Sequence, residues 1–171
     1  MARDCECGTA WDCALMQTLF SPRTETILSN LVAQKKPGHA LLFYGPKNAL
    51  LSHVLHFTTS AFNQIPILDQ LQSDPLVTLE NQTDIVLVRS EKSIPIDEIR
   101  NIHERIKYGP HQAPFLILVI PECDRLTTQA ANAFLKCLEE PPKGVLFLLS
   151  TNQIQEVLPT IKSRCKTLYI S

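Results

Sequence analysis

The chain has 171 residues, 44% of them hydrophobic, enough for one domain of ordinary size with a real core. Its 16 basic and 17 acidic residues are interspersed and leave a net charge of -1, which argues against a stand-alone nucleic-acid binder that works by neutralising phosphates. No stretch reaches the roughly 20 apolar residues of a membrane span. Arg3, Asp4, Glu6 and Asp12 interrupt any signal-peptide core, so a cytoplasmic protein is expected.

Residues 1–21 have no clear period and read as an irregular arm ahead of a single domain over 22–171. Cys5, Cys7 and Cys13 lie in that arm. They supply three ligands without the paired C-x-x-C halves of common structural zinc sites, so unpaired thiols and no metal are expected. Residues 24–36 predict a helix with Ile27, Leu28, Leu31 and Val32 on one face, ended by Pro37-Gly38. Residues 40–44 (ALLFY) form a short apolar run stopped by Gly45-Pro46, a first core strand. A helix follows over 52–62, with Val54, Leu55 and Ala61 available for burial. His53 and His56 on it lack a third ligand at fitting spacing and read as ordinary side chains.

Residues 63–83 are mixed and proline-containing, with room for short helical pieces. Residues 84–88 are the next apolar run, a buried strand. From Ser93 a helix begins, with Pro95, Asp97 and Glu98 near its first turn and Ile99, Ile102 and Ile106 as its buried stripe. Arg100, Glu104 and Arg105 read as a solvated charged face.

Residues 115–120 (FLILVI) are apolar without a break, which suits a strand covered on both faces of a parallel sheet. From Leu126 the period becomes helical. Leu126, Ala130, Ala133, Phe134, Cys137 and Leu138 form one stripe, while Gln129, Asn132, Lys136 and Glu139 face outward. Thr127 or Thr128 caps the start, and Pro141-Pro142 stops the helix because neither can donate to it. Residues 145–149 make another buried strand, so strand, helix and strand form a right-handed crossover unit. Ile154, Val157 and Leu158 make an amphipathic turn before Pro159, and residues 167–170 are the last strand. Cys123, Cys137 and Cys165 sit in or beside these elements as small apolar side chains.

Two stretches carry a resemblance: LTTQAANAFLKCLEEPP over 126–142 and LPTIKSRC over 158–165. In this order and spacing they are similar to the clamp-loader branch of the AAA+ ATPases, in particular the delta-prime and gamma/tau families of bacterial DNA polymerase III. The resemblance runs from about residue 27 to 170 and is weakest over 63–83. It implies a three-layer α/β sandwich around a five-stranded parallel sheet of P-loop NTPase, AAA+ type. The relatives' four-cysteine zinc module has no counterpart, since 63–83 contains no cysteine. Their helical lid and collar likewise have no counterpart before Ser171.

Set against that family, the nucleotide motifs are degenerate. A working phosphate loop, G-x-x-x-x-G-K-[ST], uses glycines to expose backbone N–H groups and a lysine to reach the outer phosphates. Here it reads Gly45-Pro46-Lys47-Asn48-Ala49-Leu50-Leu51-Ser52, with Leu50 for the second glycine and Leu51 for the lysine. Lys47 sits four positions early. At the end of the third strand, a metal-holding aspartate and a water-polarising glutamate should be adjacent. The pair is Pro121-Glu122, with Asp124 displaced by two residues. Thr151-Asn152 occupies the family's first sensor position and reads as a strand-end cap.

No bound cofactor and no intrinsic ATPase activity are therefore expected. Arg164, between Ser163 and Cys165, matches the arginine that the family points at a neighbour's ATP. A guanidinium suits that task because it is permanently charged and forks onto phosphate oxygens. Lys162 and Lys166 read as solvated. The resemblance implies gamma/tau and delta subunits as partners, and through them the sliding clamp and primed DNA. Two rivals stay open at this point: a free-standing interaction protein with the AAA+ fold, and an active P-loop ATPase, which Leu50, Leu51 and Pro121 disfavour.

Overall fold

The apolar runs become the strands of one parallel sheet. The structure is a computed structural model that describes residues 22–34, 38–46, 48–63, 76, 79 and 82–170. Its strands are β1 (Ala40–Tyr44), β2 (Ile85–Leu87), β3 (Leu116–Ile120), β4 (Val145–Thr151) and β5 (Lys166–Tyr169). They lie in the order β2-β3-β4-β1-β5, with every pairing parallel. Parallel neighbours require crossovers, which α-helices supply. The helices are α1 (Pro22–Ala33), α2 (Asn48–Asn63), α3 (Ile96–Ile106), α4 (Thr128–Glu139) and the single turn α5 (Pro159–Lys162).

Side chains alternate across the strands, so the sheet builds two cores and the domain has three layers. On one face Leu42, Leu116, Leu118, Ile120, Phe147 and Leu149 pack with the stripes of α3 and α4 and with Ile161 of α5. On the other, Leu41, Phe43, Ile117, Val119, Leu146 and Leu148 pack with Leu28 of α1 and Leu51, Val54, Leu55 and Phe62 of α2. Phe134 meets Phe147 edge-to-face, with ring centroids 5.5 Å apart. A fully buried side chain of this size contributes roughly 2 kcal/mol. The expected α/β sandwich with five parallel strands is what forms.

Several boundaries differ from the sequence expectations, each for a local reason. Helix α1 starts at Pro22, not Thr24, since proline fits the first helical turn. Strand β4 runs on to Thr151 because Tyr44 pairs with it. Ala131, absent from the expected stripe, is buried because α3 packs beside α4. Thr127, not Thr128, caps α4, accepting from the Ala130 N–H at 3.2 Å. The arm with Cys5, Cys7 and Cys13 lies outside the described residues. Among the described residues no group of His, Cys, Asp or Glu could hold a metal ion, and no helix is long and apolar enough to cross a membrane.

Two charged residues expected in solvent are instead tied down. Lys162 donates to the Ile154 carbonyl at 3.1 Å, which closes the turn before α5. Arg105 donates to the Thr83 carbonyl at 3.0 Å and lies 4.0 Å from Asp84. Asp84, buried just before β2, explains why. Its carboxylate accepts from the backbone N–H groups of His111, Gln112 and Ala113 at 2.6, 2.7 and 2.7 Å, pinning the loop that leads into β3. Burial pushes its pKa up, but the three N–H donors and the nearby His111 outweigh that and hold it below the usual carboxylate range.

A carboxylate whose folded pKa is depressed stabilises the fold above its ordinary value of 3.8 and loses that contribution as pH falls through the folded value. Asp84→Ala is therefore expected to cost about 3 kcal/mol at pH 7, the scale of lost hydrogen bonds to a buried charge. The difference should shrink below about pH 4, which paired denaturant titrations at pH 7 and pH 3 would show. A difference that does not change with pH would remove the carboxylate from this role.

Candidate functional site

The carboxyl ends of β1, β3 and β4 meet at one edge of the sheet, where ligands bind in open α/β folds. They bring Gly45 and Thr151 together, with Pro121 following the neighbouring strand β3: Tyr44 pairs with Thr151, and the Gly45 N–H donates to the Thr151 carbonyl at 3.3 Å. Gly45 is buried, and a Cβ there would lie 2.5 Å from the Ile170 carbonyl oxygen, so only glycine fits between β1 and β5. The Ile170 N–H in turn donates to the Tyr44 carbonyl at 2.9 Å.

Beyond Gly45 and Pro46 comes helix α2. Helix α2 begins at Asn48, four residues earlier than its pattern suggests, because Leu50 and Leu51 favour helix where glycine would interrupt it. Leu51, at the lysine position, is 2% exposed and packs with Val54, Leu55 and Phe43. It belongs to the hydrophobic core. Pro46 is exposed, while Lys47 and the side chains of Leu50, Ser52, His53 and His56 lie outside the described residues.

After β3 the acidic turn is engaged internally. Glu122 adopts the left-handed conformation (φ 58°, ψ 52°), which costs a non-glycine residue about 1 kcal/mol. Its carboxylate pairs with Arg125 at 3.2 Å, and the Arg125 guanidinium also donates to the carbonyls of Ser90 and Glu91 at 2.7 and 3.0 Å. The backbones of Ile94 and residues 125–127 bond to each other as well, at 2.9 and 3.1 Å. The Asp124 carboxylate accepts a hydrogen bond from the Thr151 hydroxyl. That same oxygen accepts from the Gln153 N–H at 2.9 Å. The sensor-position threonine therefore caps its own strand and holds Asp124.

The thiols behave as expected of small apolar side chains. Burial, with Asp124 and Cys165 nearby, raises the Cys123 pKa; burial raises Cys137 and pushes Cys165 up to about 12. A raised pKa favours the neutral thiol at pH 7 in all three.

Arg164 follows α5 and stands apart from this edge. Its Nη2 donates to Glu139 Oε1 at 2.7 Å and its Nη1 to the Thr160 carbonyl at 3.1 Å, with the guanidinium partly exposed. Its own carbonyl is held by the His39 ring at 3.1 Å. Ser163 closes back on the Thr160 carbonyl at 3.0 Å, and Cys165 packs against the core. Lys166 is exposed. Three partners were not visible in the sequence pattern: Arg125, His39 and Glu139. Glu139 could have been found, since it lies on the outward face of α4 at the end from which the Pro-Pro pair turns the chain. His39 carried no such signal.

A five-stranded parallel sheet with a glycine turn after β1, an acidic turn after β3 and a polar end to β4 defines an AAA+-type P-loop NTPase domain. The comparisons agree. A family model described as DNA polymerase III, delta subunit matches residues 20–171, and the chain belongs to that clamp-loader family. It is 31% identical over 144 residues to DNA polymerase III subunit tau of Bacillus subtilis, covering 81% of this chain and 26% of the relative. It is also 31% identical over 154 residues to DNA polymerase III subunit delta' of the same organism, covering 87% and 47%.

Among solved structures, a gamma subunit-related protein of Thermotoga maritima matches with a TM-score of 0.70 and 28% identity, over 84% of this chain and 45% of that one. The RuvB Holliday junction branch migration motor of Thermotoga maritima matches at 0.59 and 13% identity, over 86% and 42%, which shows the fold alone. The chain spans about a quarter to a half of the length of these curated relatives.

Proposed function

We propose that this chain is a non-hydrolysing, delta-prime-like clamp-loader subunit, which helps gamma/tau and delta subunits open the sliding clamp and place it on primed DNA. Leu51 carries the reading. A lysine at that position must face phosphate, whereas this side chain is part of the core. The remaining polar groups of the edge support it, since Glu122 is paired with Arg125, Asp124 holds Thr151, and proline stands at the metal-binding position. The subunit's chemical contribution is then Arg164, offered to the ATP of a neighbour.

Calorimetric titration with magnesium-ATP tests the first half of this reading. No specific binding is expected. A micromolar dissociation constant, roughly -8 kcal/mol, would restore the active-ATPase reading. Co-purification with gamma/tau and delta subunits separates a loader subunit from a free-standing interaction protein, which would not enter the complex.

A further inference from the structure

We infer that Glu139 is the positioning residue for Arg164, an inference that rests on the reading of Arg164 as a residue acting on a neighbour's nucleotide. A free arginine side chain samples many rotamers, and fixing it costs entropy each time it must reach a phosphate. Here both ends of the residue are anchored. The backbone carbonyl is held by His39, Nη1 by the Thr160 carbonyl at 3.1 Å and Nη2 by Glu139 at 2.7 Å. Thr160 is on the same turn as the arginine, so Glu139 is the contact that fixes the guanidinium against a different element. It is the last residue of α4, at the end from which Pro141-Pro142 leads the chain away.

A guanidinium has five N–H donors. One bond on each terminal nitrogen leaves three of them for an incoming anion. The carboxylate orients the fork without consuming it.

Two measurements on full-length protein test this. In the isolated chain, the guanidinium N–H resonances of Arg164 should show hindered rotation in the wild type and free averaging in Glu139→Ala, with Glu139→Gln in between because its amide oxygen still accepts. Free averaging in the wild type would overturn the inference. In the reconstituted loader, Glu139→Ala should lower the neighbour's kcat by about tenfold, the scale of loss when a reacting group is slightly misplaced. The KM for ATP should stay within about twofold, and Glu139→Gln should recover most of the turnover.

Arg164→Ala is run beside them. If Arg164→Ala lowers turnover and Glu139→Ala does not, the positioning role is wrong and the arginine reading stands. If Arg164→Ala changes nothing, both are overturned. Raised turnover in Glu139→Ala or Glu139→Gln would mean the carboxylate restrains the arginine, and would also overturn the inference.

Discussion

Arg164→Ala is expected to lower the DNA- and clamp-stimulated ATPase of a neighbouring gamma/tau-type subunit by tenfold or more while leaving this protein folded. The loss is large because a guanidinium at the transferring phosphoryl group stabilises charge that develops only in the transition state. Stability should change little: the Arg164–Glu139 pair joins a partly exposed guanidinium to an exposed carboxylate, and surface pairs contribute about 0–1 kcal/mol. Arg164→Lys should rescue poorly, because an ammonium lacks the planar fork. A reconstituted loader assay with circular dichroism as the folding control decides. Unchanged turnover in a complex of normal affinity would reduce Arg164 to a surface cation. Lost turnover in a melted protein would make it structural.

Leu51→Lys should produce the largest loss of stability. The substitution restores the phosphate-loop lysine on paper, but the side chain at 51 is 2% exposed, within the core cluster that also holds Val54, Leu55 and Phe43. A lysine there must lose its proton or drag water inward, and either route costs about 4 kcal/mol for a pKa lowered by several units. That approaches the whole stability of a modest domain. Leu51→Met, of similar volume, should cost under about 1.5 kcal/mol. Denaturant titrations of the three proteins would check this. A Leu50→Gly, Leu51→Lys protein that stays folded and gains magnesium-ATP binding would show that the lysine can leave the core. The proposal that this chain does not hydrolyse ATP because Leu51 is held in the core would then fail.

The architecture was legible because the signals were redundant. Residues 115–120 and 145–149 are uninterrupted apolar runs, and α4 carries a full helical stripe with a cap and a double-proline stop. Those features state strand, helix and strand without help from the rest of the chain. The departure from the phosphate-loop pattern was legible too, since Leu50 and Leu51 stand where that pattern has glycine and lysine. Where Leu51 goes was not: a sequence shows the missing charge but not that the replacement is buried in the core with residues of α2 and β1.

Contacts between distant residues account for most of what was missed. Asp84 bonds to residues 111–113, and Arg125 to 90 and 91, across gaps that no local period spans. Arg105 and Lys162 were expected in solvent because a charged residue is usually found there. Each reaches a carbonyl whose position only the tertiary fold determines.

Gly45 carries a lesson about reading relics. The first glycine of a phosphate loop is ordinarily credited to the ligand, because backbone must come close to phosphate. In this chain the same absence of a side chain is demanded by the Ile170 carbonyl, 2.5 Å from where a Cβ would stand. The packing of β5 against the turn would forbid any larger residue even if nucleotide never entered. Such a glycine can outlive the chemistry it once served, as a keystone outlasts the scaffolding of its arch. Its presence at the end of β1 follows from how β5 closes against the turn, and by itself says nothing of nucleotide.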